Sequence, residues 1–203
     1  MPVYEFLIMT VVAYLLGAFP TAYVVGKLRK IDITQHGSGN IGGTNAMRVM
    51  GLGPGAMVMA VDILKAALPT YTASHLMALE TWQVMAIALA TVIGHNWSVY
   101  IQFRGGKGIA CTIGACAVLF PAVLLTGFAV FALTIAITKY VSLGSLLMMI
   151  SMPILLWTWN YSSEYIWFAL FLLVIGAYRH RANIKRLLAG TENRVGSKKN
   201  RGG

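Results

Sequence analysis

Long apolar runs separated by short polar stretches divide this chain. Residues 6–26 carry no charge, and residues 52–73 carry only Asp62 and Lys65. Residues 81–103 lack Asp, Glu, Lys and Arg, with His95 inside the run. Residues 108–138 are uncharged for 31 positions, and residues 140–163 and 165–178 are uncharged again. A helix needs about 20 apolar residues to cross a hydrocarbon core of about 30 Å. The pattern therefore predicts an all-α integral membrane protein, because a helix satisfies its own backbone in lipid.

Composition supports the same class. The chain has 203 residues, 58% hydrophobic and 11% charged, with mean hydropathy +0.71. A soluble domain carries about 25% charged residues, and disorder requires low hydrophobicity. Both classes are excluded. No basic segment precedes the first run, so a cleaved signal peptide is not expected. No internal repeat of the inverted-transporter kind is evident.

Charge sets the expected orientation. Sixteen Lys and Arg face six Asp and Glu. Lys27, Arg29, Lys30 and Arg48 flank the first polar loop, Arg104 and Lys107 follow the third run, and eight cations lie from Arg179 onward. The positive-inside rule puts all of these in the cytoplasm. Lys139 joins them only if residues 108–138 turn near Pro121 and form two short helices, about 109–119 and 122–138. The expectation is a single membrane domain over 1–203, a seven-transmembrane-helix bundle with its N-terminus outside. Only Glu5, Glu80 and Glu164 are then left as charges outside. Cys111 and Cys116 lie five apart in an apolar run and read as small buried hydrophobes.

Three segments are not explained by crossing a membrane, and all three fall on the cytoplasmic side. Residues 36–48 combine Gly37, Gly39, Gly42 and Gly43 with Ser38, Asn40, Thr44, Asn45 and Arg48. Glycines let backbone approach a ligand, free amides bind anions, and arginine offers a planar fork for phosphate. The segment also fits G-x-G-x-x-G, but no strand precedes it, so a dinucleotide fold is rejected. Residues 94–112 hold His95 and the Gly105-Gly106-Lys107-Gly108 turn before a helix that includes Thr112. Backbone amides, a helix N-terminus and one lysine are the parts of a phosphate site. It is not a Walker A loop, because Ile101 and Gly108 stand at required Gly and Ser/Thr positions. Residues 180–192 place His180 and Asn183 on one face, Ile184, Leu187 and Leu188 at helical spacing, and Gly190 as a stop before Glu192. Asp62 and Lys65, three apart at mid-helix, are functional candidates because ionisable groups in lipid are costly; as a structural pair they would orient two helices. A polar turn at Lys139–Ser145 adds Ser142 on the same side.

These elements point to a small phosphorylated ligand taken from the cytosol. Enzyme, transporter and anion-binding protein stay open at this level. Some enzyme classes are excluded. No histidine has an aspartate five residues on, two aspartates cannot build an Asp-rich phosphotransferase motif, and no G-x-S-x-G occurs.

Taken together, the three segments resemble the bacterial acyl-phosphate–glycerol-3-phosphate acyltransferases, the PlsY family. The motifs appear in order as Gly37–Arg48, Gly94–Thr112 and His180–Glu192, with Pro20-Thr21-Ala22-Tyr23, Asp62/Lys65 and Tyr140–Gly144 as further likenesses. The resemblance spans essentially the whole chain. Trp97-Ser98 stands where the family has Phe-Pro, Gly43 where Ala is common, and Ala66 where Gly is common. None of these removes a polar ligand.

The resemblance implies acyl transfer from acyl phosphate to the 1-hydroxyl of glycerol 3-phosphate, giving lysophosphatidic acid and phosphate. It implies Ser38, Arg48, Lys107, His180 and Asn183 as the catalytic set. Gly39, Asn40, Gly42, Thr44, Asn45, Lys65, Gly105, Gly106, Gly108, Thr112 and Ser142 would bind substrates. Asp62, His95 and Glu192 would brace the site. No metal, cofactor or nucleic acid is expected. The partners are the two substrates and the bilayer, the protein a monomer in the bacterial inner membrane. An organic-phosphate transporter or channel is the alternative; it would need polar groups through the full depth of the bundle.

Overall fold

A computed structural model describes residues 3–196. Ten α-helices follow one another, with no strand among the described residues. They are α1 (Val3–Ala18), α2 (Thr21–Leu28), α3 (Gly43–Met50), α4 (Leu52–Tyr71), α5 (Thr81–Asn96), α6 (Ile109–Leu119), α7 (Pro121–Thr138), α8 (Val141–Thr158), α9 (Ser163–Arg179) and α10 (Arg181–Leu188). Contacts divide the chain into two compact units, Met1–Pro121 and Ala122–Gly203.

Every apolar run is helical, and the turn at Pro121 separates α6 from α7 as expected. Among the described residues, five stretches are long and apolar enough to cross a membrane: Val3–Leu28, Leu52–Leu76, Thr81–Ile101, Pro121–Thr138 and Val141–Thr158. Large apolar side chains such as Leu125, Ile137 and Phe171 are exposed. Water would penalise these surfaces and hydrocarbon does not. Cys111 and Cys116 are buried and unbridged.

The first run differs from an unbroken helix. α1 ends at Ala18 and α2 begins at Thr21, with Pro20 between them at φ −88° and ψ 72°. Proline has no N–H to continue the helical ladder, so carbonyls before it lose their partners. Within the first unit, α1 and α5 approach backbone to backbone. A Cβ on Gly17 would collide with the Thr91 carbonyl, and one on Gly94 with the Tyr14 carbonyl. In the second unit Gly144 of α8 lies against Phe131 and Ile135 of α7, and Gly176 of α9 against Met149 of α8.

Two polar segments also form helices. The first loop gives way to α3 from Gly43 onward. The third becomes α10, which stops before Gly190 at φ +69°. Its apolar face is only partly covered by the protein. Ile184 and Leu187 are half-buried, Leu188 is exposed, and Asn183 is the buried residue of this helix.

Candidate active site

The break between α1 and α2 organises the first unit. Asp62 and Lys65 sit one turn apart on α4 and are both buried. Lys65 Nζ lies 2.8 Å from Asp62 Oδ1 and donates to the Phe19 carbonyl at 2.8 Å. Thr21 Oγ1 donates to the same Asp62 oxygen at 2.9 Å. The ammonium thus binds the Phe19 carbonyl at the break, which also accepts from Thr21 N–H at 3.0 Å, while the carboxylate holds the first residue of α2. His95 Nδ1 lies 3.8 Å from Asp62 Oδ1, beyond hydrogen-bond reach. The resemblance gave Lys65 a place among the substrate-binding residues; here its Nζ contacts Asp62 and the Phe19 carbonyl.

A second carbonyl at the break is capped from the second loop. Ser98 Oγ donates to the Ala18 carbonyl at 2.5 Å, and Tyr14 Oη donates to the Trp97 carbonyl at 2.8 Å. Further along, Gly106 N–H donates to the His95 carbonyl at 3.0 Å. A Cβ on Gly106 would run into the His95 imidazole, so only glycine lets the chain pass over that ring. Lys107 follows, half-buried. Gly108, at φ +80° and ψ −2°, is the N-cap of α6, a left-handed turn that favours glycine. Its carbonyl accepts from Thr112 N–H at 2.7 Å. The first N–H groups of α6 have no helical partner, as at any helix start, and they share this corner with Lys107, a donor set whose chemistry suits an anion.

The first loop folds around Asn45. This side chain is 1% exposed. Its Oδ1 accepts from Ser38 N–H at 2.9 Å. Its Nδ2 reaches the Asn40 carbonyl at 2.9 Å, the His36 carbonyl at 3.1 Å and the Ile33 carbonyl at 3.4 Å. Gly37 and Gly39 hold left-handed φ of +65° and +69° that let the loop wrap this hub. Asp32 begins the segment by accepting from Thr34 N–H and Oγ1. The Thr34 hydroxyl bond chiefly holds the Asp32 carboxyl below its ordinary range. Ser38, Gly39, Thr44 and Arg48 are exposed, and Asn40 and Gly42 half-buried. Asn45 therefore builds the loop from inside; Ser38 and Thr44 are presented outward, as is Arg48, whose Nη1 also reaches Asn45 Oδ1 at 3.5 Å.

In the second unit Glu192 is the hub. Its Oε1 accepts from Ser142 Oγ at 3.0 Å and Asn183 Nδ2 at 2.7 Å, and its Oε2 from Arg186 Nε at 2.7 Å. Desolvation pushes this carboxyl up. The bonds from Asn183, Arg186 and Ser142, with the Arg186 charge, outweigh it, so the net shift is downward. His180 is 2% exposed, and its Nδ1 lies 2.8 Å from the Gly176 carbonyl. A carbonyl only accepts, so Nδ1 carries the hydrogen and Nε2 is the basic nitrogen of the neutral ring. Beyond Glu192 the chain straps back. Arg194 Nε donates to Tyr140 Oη at 3.0 Å, and Val195 N–H to the Lys139 carbonyl at 2.8 Å.

The structure gathers the first two motifs, Asp62, Lys65 and Thr112 in one unit, and Ser142, His180, Asn183 and Glu192 in the other. Sequence reasoning gave no role to Tyr14 or Arg186, and it named Thr21 and Tyr140 only as likenesses to the family. Pro20 was the available signal for the break that Thr21 serves; the others have ordinary local spacing. Among the described residues, no group of three or more His, Cys, Asp or Glu is placed to hold a metal ion.

The family model described as glycerol-3-phosphate acyltransferase matches residues 7–190. The chain belongs to the glycerol-3-phosphate acyltransferase family. A family member from Clostridioides difficile is 44% identical over 204 residues, covering 98% of this chain and 100% of the relative. One from Halalkalibacterium halodurans is 42% identical over 193 residues, covering 92% and 94%. Among solved structures, PlsY (YgiH), an integral membrane glycerol 3-phosphate acyltransferase, is similar in its glycerol 3-phosphate form. Its TM-score is 0.91 at 35% identity, covering 95% of this chain and 96% of that one. Its lysophosphatidic acid form matches with a TM-score of 0.88. This chain is accordingly a multi-pass membrane acyltransferase of that family.

Proposed function

We propose that the chain transfers an acyl group from acyl phosphate to the 1-hydroxyl of glycerol 3-phosphate. The products are 1-acylglycerol 3-phosphate (lysophosphatidic acid) and phosphate, and the reaction opens phospholipid synthesis. The second loop carries this reading. Its Lys107 lies between two glycines at the N-terminus of α6, on a backbone pinned to His95 and Ala18. A phosphomonoester dianion suits that corner of fixed amides and one cation.

Lys107 and the amides of Gly105 and Gly108 hold the phosphate of glycerol 3-phosphate, with Gly106 fixed between them by its N–H on the His95 carbonyl. Ser38, Thr44 and Arg48, with backbone amides from Asn40 to Gly42, hold the acyl-phosphate head and polarise its carbonyl. His180, Asn183 and Ser142 position the glycerol. Asn45, Asp62, Lys65, His95, Thr112 and Glu192 keep these groups in place. The 1-hydroxyl oxygen attacks the acyl carbon, the acyl C–O bond to phosphorus breaks, and inorganic phosphate leaves. A donor phosphate oxygen accepts the hydroxyl proton; a phosphate's second pKa of about 6 suits that role.

The same reading completes the topology. Seven helices cross or enter the bacterial inner membrane as one domain, with the N-terminus outside and the three motifs at the cytoplasmic face. There the donor tail stays in lipid and glycerol 3-phosphate arrives from the cytosol. The enzyme works as a monomer without cofactor.

Purified protein in detergent, given acyl phosphate and glycerol 3-phosphate, is expected to release inorganic phosphate and 1-acylglycerol 3-phosphate in equal amounts. Product formed only from acyl-CoA or acyl carrier protein would overturn the donor. No product from any donor would overturn the reaction.

A further inference from the structure

α5 ends on His95 and Asn96, and the site described so far uses only the first. Asn96 is fully enclosed, at 0% exposure. Among the described residues neither its Oδ1 nor its Nδ2 has a hydrogen-bond partner. Buried amides are nearly always paired, and an unpaired one lowers stability. A leucine of similar size would fill the space without that cost.

The position of this amide gives it a use. It lies against Gly108: a Cβ built on that glycine would stand 2.8 Å from Asn96 Oδ1 and 3.1 Å from Nδ2. Gly108 is the left-handed N-cap of the 11-residue helix α6. The enclosed carboxamide therefore sits under the turn that joins Lys107 to the first free N–H groups of the helix. Backbone on either side is already fixed, through Gly106 N–H on the His95 carbonyl at 3.0 Å and Thr112 N–H on the Gly108 carbonyl at 2.7 Å. The peptide between Lys107 and Gly108 is the one with a glycine beside it, and glycine allows a peptide plane to turn with little steric cost.

We infer that Asn96 is a positioning residue of the second loop, unpaired in the empty enzyme and paired when an organic phosphate loads the loop. The anion draws the Gly108 N–H toward itself. The carbonyl of Lys107, on the opposite side of the same peptide, turns to accept from Asn96 Nδ2. The enzyme thus carries an unpaired amide when empty and gains a hydrogen bond that favours the phosphate-binding loop conformation. This inference rests on the assignment of glycerol 3-phosphate to the second loop.

The test is Asn96→Leu in the full-length enzyme, with thermal midpoint and steady-state kinetics measured in the same detergent. The empty variant is expected to melt at or above the parent temperature. Its KM for glycerol 3-phosphate should rise about ten-fold, the size of one lost hydrogen bond, with kcat within about two-fold of the parent. The thermal shift produced by glycerol 3-phosphate should shrink in parallel. An unchanged KM and thermal shift would overturn the inference. So would a large loss of midpoint in the empty variant, since the amide would then already be paired. If Asn96→Leu does not accumulate, Asn96→Ala answers the same KM question. A parent enzyme that makes product keeps the proposed reaction standing whatever the variant does, whereas a parent that ignores glycerol 3-phosphate removes the reaction itself.

Discussion

The Ser98 hydroxyl donates to the carbonyl of Ala18 across 80 residues of sequence, at 2.5 Å. This bond joins the second loop to the end of α1, where Pro20 interrupts the helix. Ser98 is fully buried, so neither partner has water as a substitute. The position is one where the family resemblance led us to expect proline. Ser98 has φ −72°, a value proline adopts without strain. The chain has kept a proline-like backbone and added a donor.

Ser98→Ala should therefore cost about 1–3 kcal/mol, the usual effect of stranding a buried acceptor, and should raise the KM for glycerol 3-phosphate. Ser98→Pro should recover loop geometry but not the cap, giving a KM nearer the parent with a midpoint still lowered. Thermal melts and KM measured side by side check both. Equal KM values for the alanine and proline variants would show that the hydroxyl, not the backbone, sets the loop.

The buried pair on α4 makes a sharper demand. Lys65→Met leaves Asp62 buried without its cation and should cost about 3–5 kcal/mol. Adding Asp62→Asn removes the stranded charge, so the double variant should be more stable than Lys65→Met alone. A double-mutant cycle on thermal midpoints measures the coupling. Additive effects would mean that the two groups do not act as a pair.

Glu192 predicts a pH dependence. Its carboxyl is held below the ordinary 4.5 of glutamate, since three donors outweigh its desolvation. A depressed folded value means that its stabilisation is fully present above about the unfolded value and is lost as pH falls through the folded one. The segment binding Ser142 and Asn183 should thus loosen only in the acid range below ordinary glutamate titration. Glu192→Gln should lower the midpoint at neutral pH and flatten the acid limb of the stability profile. Melting both proteins from neutral pH to about pH 3 tests the sign.

His180 and Lys107 separate the proposed roles. With the donor phosphate as base, His180→Gln should lower kcat by only a modest factor and alter the KM for glycerol 3-phosphate. A fall in kcat of about 10³ or more with KM kept would make His180 the general base. Lys107→Ala should raise the KM for glycerol 3-phosphate and spare that for acyl phosphate; the reverse pattern would exchange the two sites.

Much of this architecture was legible before any fold was known. An apolar run in lipid has one common solution, a helix that pairs its own backbone, so the runs named the helices. The turn at Pro121 followed from charge, because Lys139 needed the same side as the other cations. The Asp62–Lys65 pair was legible because residues three apart on a helix are neighbours. Loops rich in glycine and cations pointed to a phosphorylated ligand, because exposed amides and cations together suit an anion.

The tertiary structure decided which polar groups are tied into the fold and which are presented outward. Asn45 and Ser38 looked alike in the sequence, yet one is the buried hub of its loop and the other is presented outward. Lys65 looked like a phosphate ligand and is engaged with Asp62 and the Phe19 carbonyl. Asn96 stood inside the second motif with nothing to single it out, and the role inferred for it depends on Gly108 passing over it. The reason is geometric. A helix writes its own period into the sequence, so its faces can be read locally. A hydrogen bond between residues 80 apart depends on which backbones come close, and that is settled only when the glycines of packed helices let them meet.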